Sequence, residues 1–299
     1  MSKLSPSLKS LINASFARPG QTPAPAGIAD VYRRIASEAK ERKYGNRPWL
    51  TLSAAATFTL NSPASLSALH QVATSDPSGP ISPLAGAELI REVGLKCISF
   101  NGIPRSINCL GAFRSDLLAR YSGSDWLSKL ETKPSRALDR ACIDGVNRRG
   151  RELWKSVYTP LDEKLEAKLA DSHPDLPVYI LAGHYGPLLS NPRRDGSGLE
   201  DVGRTLTSIV AISCLRAQTG VGPQVLSHVF GLRKGVEQGA HRTEFLGLQE
   251  GSVEEEEADG VERLATDEGC EWILNSVDSI AQAIGGSNFA QRQPRESKL

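Results

Sequence analysis

At 299 residues, 39% hydrophobic and 23% charged, the chain has apolar material for one large or two medium cores, which excludes a disordered polymer. Its 35 basic and 34 acidic residues leave a net charge of +1, so no electrostatic argument favours a nucleic-acid or anionic-membrane partner. The longest nearly uncharged apolar run, residues 50–60, falls well short of the roughly 18 residues a membrane-spanning helix needs.

Residues 1–20 are basic, Ser-rich and free of acidic side chains, as organellar presequences are, yet Leu4, Leu8, Leu11 and Ile12 recur at helical spacing and predict an ordinary first helix. From Arg47 the chain reads as a helix of Ala, Leu and small residues, a break at Asn61-Ser62-Pro63, and a second helix on which Leu66, Leu69, His70 and Ala73 share one side. The same layout returns later: Arg204 opens a small-residue helix, Gly220 to Pro223 breaks it, and a helix with Val225, Val229, Leu232 and Val236 on one stripe carries His228. A helical hairpin is used twice, with an Arg at its start and a His near its end.

After the first hairpin a Pro/Gly/Ser loop over residues 76–83 leads to a helix with Leu89, Val93, Cys97 and Phe100 in register; Asn101-Gly102-Ile103-Pro104 ends it and starts the next. Residues 145–192 read as helices broken at Pro160, Pro174 and Pro187, followed by a loop over 191–203. The acidic run within 250–268 reads as a solvated loop, and a short helix follows over 267–284. No period-2 alternation of useful length appears, so the expected class is all-α, divided as a first repeat over 1–135, a less complete second repeat over 136–285, and a mobile tail over 286–299. That tail closes on Ser297-Lys298-Leu299, the tripeptide read by the peroxisomal import receptor when it is a free carboxyl terminus, so a peroxisomal matrix location is expected.

Residues 92–108, EVGLKCISFNGIPRSIN, resemble the Glu…Gly-x-Pro-x-x-x-Asn signature of carboxymuconolactone decarboxylase-like proteins, and the Arg…His hairpins resemble the segment that precedes it there. Arg149-Gly150, Trp154, Val157-Tyr158 and Tyr185-Gly186-Pro187 are similar to the lead-in of the second copy. The likeness covers about three quarters of the chain and is nearest to fungal members of that superfamily, which also holds alkylhydroperoxidase-D-like proteins. It implies an all-α duplicated fold, a homo-oligomer and a site near a repeat or subunit interface. Of the two chemistries in the superfamily, hydroperoxide reduction needs a Cys-x-x-Cys pair four residues before the His. Here those positions hold Val221 and Gln224 in one copy and Pro63 and Leu66 in the other.

Three readings stay open at this point. In the first, an enzyme without cofactor moves a proton on a small carbonyl or carboxylate metabolite, with His228, Glu92 and His70 as catalytic candidates and Arg204 and Arg47 as the clamp for an anionic group. In the second, the fold is a non-catalytic binding or assembly protein, and both histidines are core residues donating to backbone. In the third, Cys97 and Cys109 flank the Gly-Ile-Pro break and reduce hydroperoxides; otherwise the five scattered cysteines are reduced core residues. No metal site is expected, because no His pair has ligand spacing.

Overall fold

The computed structural model describes residues 4–75, 81–134, 136, 138–191, 202–245 and 253–285. Parts of the predicted loops over 76–83 and 191–203, and the whole tail with Ser297, Lys298 and Leu299, lie outside the described residues. Among the described residues the chain is helical without strands, and no helix is long and apolar enough to cross a membrane.

The first half runs through α1 (Pro6–Ile12), α2 (Ile28–Glu41), α3 (Asn46–Thr59), α4 (Pro63–Ser75), α5 (Pro83–Lys96), α6 (Ile98–Asn101), α7 (Ile103–Arg120) and α8 (Asp125–Ser128). The predicted breaks hold for physical reasons. Pro63 and Pro83 occupy first turns, where the missing N–H costs nothing, and Ser82 accepts a hydrogen bond from the Ala85 amide. Gly102, at φ +77°, turns the chain between α6 and α7, a left-handed conformation that a Cβ would strain. Although α1 forms as expected, its Leu8, Leu11 and Ile12 remain exposed rather than packed.

The second half comprises α9 (Ile143–Tyr158), α10 (Asp162–Ser172), α11 (Leu176–Val178), a π-helix over Tyr179–Leu189, α12 (Arg204–Gln218), α13 (Gly222–Glu237), α14 (Ala240–Glu244), α15 (Val253–Leu264) and α16 (Asp267–Ile284). Two expectations change here. Pro187 lies inside the π-helix instead of ending it, and the wide i→i+5 spiral continues past it, as the Ser190 amide donating to the Tyr185 carbonyl shows. The acidic run is not a solvated loop: from Val253 it is α15, which turns Glu257, Ala258, Val261 and Leu264 into the interior.

The core centres on α3 and α12, which pack against each other. Every residue of α3 from Pro48 to Thr59 is buried, and so are nearly all of α12 from Thr205 to Ala217. A helix buried all round must be apolar or small on every face, which explains the Ala54-Ala55-Ala56 run and the scattered Ser and Thr. In α3 the hydroxyls of Thr57 and Thr59 bond back to the carbonyls of Ser53 and Ala55, four residues earlier, while those of Thr51 and Ser53 find no partner among the described residues. Around this pair α4 and α5 pack on α3, α13 packs on α12, and α16 lies against both. One continuous hydrophobic cluster takes residues from both halves, and a satellite of Trp154, Leu181, Tyr185 and Leu189 joins α9 to the π-helix.

A buried helix start leaves amide N–H groups that water cannot reach. At α3 the Glu257 carboxylate accepts from the Asn46 amide (2.6 Å) and the Arg47 amide (3.1 Å). At α12 the Glu244 carboxylate accepts from the Thr205 amide and hydroxyl. Both carboxylates need a glycine beside them. A Cβ on Gly45 would stand 2.5 Å from a Glu257 oxygen, and one on Gly203 would stand 2.3 Å from Glu244 Cγ.

Candidate functional site

Arg204, the first residue of α12, points between α9 and α13. Its Nε donates to Ser156 Oγ (2.8 Å), Nη1 to Ser208 Oγ (2.6 Å), and Nη2 to the carbonyls of Gly231 (2.7 Å) and Ser156 (3.2 Å). All four acceptors are neutral. The guanidinium therefore sits largely out of water with no carboxylate in contact, and burial pulls its pKa down, opposed by Glu244 and the two nearby tyrosines. The expected clamp for an anionic group thus has no acidic partner in contact among the described side chains.

His228 lies beside it on α13, buried, with Phe100 edge-on at 6.0 Å and Tyr158 at 6.2 Å between ring centroids. Its ring makes no hydrogen bond among the described residues. Burial and then the Arg204 charge lower its pKa to about 4, so it is a neutral imidazole across the physiological range. The Tyr185 hydroxyl donates to that of Tyr158 at 3.1 Å, and burial raises both phenols. Arg204, Ser208, His228, Phe100 and Tyr185 line a cavity of only about 10 Å3, with Leu153, Val157, Leu189 and Thr207 around them. That is at the lower edge of what one water molecule requires, about 10–15 Å3. Glu244, capping Thr205 next to Arg204, has its carboxyl pushed up by burial to about 7.

The other predicted residues lie elsewhere. His70 is buried among the rings of Phe113, Tyr121 and Trp126, with Nε2 2.9 Å from the Pro83 carbonyl, which fits a core histidine donating to backbone; burial lowers its pKa. Arg47 lies over the Phe245 ring at 5.5 Å. Glu92 is buried and paired with Arg136. Lys96 is itself fully buried and donates to the Leu189 carbonyl and to Asn191 Oδ1 (3.0 Å). The thiol nearest Cys97 is that of Cys214, 3.5 Å away across the α5–α12 contact, rather than Cys109. Burial pushes the Cys97 thiol well above its usual value and Cys109 to about 12, the opposite of what a peroxidatic thiolate needs.

No family model matches the chain. It is similar to a yeast peroxisomal protein. Over 157 residues it is 31% identical to Peroxisomal protein 2 of Saccharomyces cerevisiae, a stretch amounting to 47% of this chain and 52% of the yeast protein, so the chain spans about half the length of the relative it matches. No solved structure matches.

Sequence reading placed Arg204 and His228 in one site and missed the groups that define it. Ser208 was legible, four residues after Arg204 on the same face of one helix. Ser156 stands beside the quoted Val157-Tyr158, but nothing local marks it as an acceptor. Glu244 follows the second hairpin with no periodic signal at all.

The depressed His228 fixes the sign of a pH effect. The unfolded chain takes up a proton near pH 6.5 and the folded chain only near 4, so this group stabilises the fold above 6.5 and the contribution is lost as pH falls through that window. Glu244 and Glu257, raised by burial to about 7 and about 6, act with the opposite sign, stabilising most below about 4.5 and less as pH rises. Denaturant unfolding of the wild type and His228→Gln at pH 7 and pH 4.5 separates them. The wild type should lose up to ~3 kcal/mol more than the variant on acidification, and equal losses would contradict a buried neutral His228.

Proposed function

We propose that this chain is a peroxisomal matrix protein with a duplicated carboxymuconolactone decarboxylase-like helical fold, and that its Arg204–His228 cluster holds a small carboxylate or carbonyl metabolite. The location is supported by the similarity to Peroxisomal protein 2 of yeast, and Ser297-Lys298-Leu299 is a tripeptide that the peroxisomal import receptor reads when it is a free carboxyl terminus. The duplication is supported by matching packing. As α2 lies on α4 beside α3, so α9 lies on α13 beside α12, and each central helix starts at a glycine beside a buried carboxylate.

The observation that carries the binding reading is a desolvated guanidinium without a carboxylate partner, next to a neutral imidazole. With a cavity of about 10 Å3, a carboxylate reaches Arg204 only if α9 and α13 part, and there it meets a charge that no described carboxylate contacts. It also offsets the Arg204 charge, which adds to burial in depressing His228, and so draws the imidazole part of the way back towards the range where it takes or gives a proton. Glu92, His70 and Arg47 lie outside this cluster, so the reading assigns proton transfer to His228 alone.

A second reading, assembly without catalysis, is favoured by the closed cavity and by apolar side chains left in water: Leu226 and Phe230 on α13, and Ile103 and Ile107 on α7, are more than half exposed. A homo-oligomer belongs to either reading.

An amino-terminally fluorescent full-length chain expressed in yeast should co-localise with a peroxisomal marker, and deleting Leu299 should leave it in the cytosol; punctate signal from both, or from neither, sinks the location. For the site, histidine ring resonances followed by NMR from pH 3 to 8, with His228→Ala giving the assignment, should show the His228 titration rise by about one unit in saturating acetate. An unmoved titration would remove the ligand role of Arg204 and leave assembly.

A further inference from the structure

Away from the Arg204 cluster, α5 and α7 enclose a groove of about 570 Å3, within the roughly 300–1,000 Å3 range of small-molecule sites. Glu88, Arg91, Glu92 and Leu95 lie on one stripe of α5, and Leu110, Gly111 and Arg114 on one stripe of α7. The third wall is residues 131–134 with Arg136.

That wall is tied down. Its Glu131 amide donates to Glu88 (2.7 Å), Arg91 Nη2 donates to the Glu131 carbonyl (2.8 Å), and the Glu131 carboxylate accepts from the amides of Thr132 (2.8 Å) and Lys133 (2.7 Å). Arg136 reaches across to Glu92. The groove is thus largely preformed, which lowers the ordering cost a ligand would meet.

Four cations and three carboxylates line it. Arg91 is matched by Glu88 at 2.9 Å, and Arg136 by Glu92. Arg114 and Lys133 have no side-chain partner among the described residues, and the Glu131 carboxylate accepts from the Thr132 and Lys133 amides, so four cations less three carboxylates leave the walls a net charge of +1. Leu95 and Leu110 add an apolar surface, and above Gly111 there is open space: a Cβ built there meets nothing within 4 Å.

We propose that this groove binds an amphiphilic organic anion, its acidic group held by Arg114 and Lys133 and its apolar body lying over Gly111 between Leu95 and Leu110. The site shares no residue with the Arg204–His228 cavity, so it stands or falls separately from the reading above.

Calorimetric titration of the full chain with octanoate, octyl phosphate and octanol tests it. The expected result is binding of octanoate or octyl phosphate with a dissociation constant below 10 mM, at least ~10-fold tighter than octanol, and weakened about 5- to 20-fold in the Arg114→Gln/Lys133→Gln double variant, since each exposed cation contributes a few-fold. Comparing the two anions shows whether a carboxylate or a phosphate head fits better. Gly111→Leu should abolish binding by filling the groove while leaving the melting temperature unchanged or higher, because the helix itself gains from losing a glycine. No binding of either anion at 10 mM, octanol binding as tightly, or full affinity in the double variant or in folded Gly111→Leu would each overturn the proposal.

Discussion

Everything in this fold hangs on two helices that have no exposed face. When α3 and α12 bury each other and are covered on all sides, their amino-terminal amides lose water as a partner, and leaving such groups unmet costs about 1–3 kcal/mol each. Glu257 and Glu244 meet them, each set against a glycine that makes room for a carboxylate. Because Glu257 belongs to α15 and the helix it caps, α3, belongs to the first half, a late helix completes an early one. The two halves therefore share a core instead of owning one each, as the continuous hydrophobic cluster shows.

The same constraint places the candidate site. Arg204 is the residue just before Thr205, whose amide Glu244 caps, so a cation and a carboxylate arrive at one buried helix start without touching. Their effects diverge. The carboxylate is spent on amide and hydroxyl donors, while the guanidinium is left to serines and carbonyls beside His228. Burial sets the direction for every titratable group there, lowering Arg204 and His228 and raising Glu244, Tyr158 and Tyr185. Perturbed groups concentrated in one place are what binding and proton-transfer sites share with charged structural networks, and the difference lies in whether an anion enters.

Local signals carried much of the architecture. Small-residue helices, helical stripes and the Asn61-Ser62-Pro63 and Gly102-Ile103-Pro104 breakers defined α3, α4, α7, α12 and α13, because they encode burial and backbone geometry within a few residues of themselves. What sequence could not carry was partner choice at long range. Four consecutive glutamates look alike until α15 is docked, and only then does Glu257 face inwards, on the stripe it shares with Ala258, Val261 and Leu264. Glu92 has Lys96 four residues away on its own helix, yet tertiary packing gives it Arg136 and turns Lys96 towards the Leu189 carbonyl. Cys97 likewise meets Cys214, a contact made by the two halves closing together and invisible to any count of spacing.

If α3 and α12 form one core, they open as a unit, and native-state hydrogen exchange tests this. The amides of both helices, including those of Arg47 and Thr205 under their carboxylate caps, should be among the slowest to exchange and should share the free energy of global unfolding. If α12 exchanged through a lower-energy opening while α3 stayed protected, the halves would be separate folding units and the shared core would be wrong.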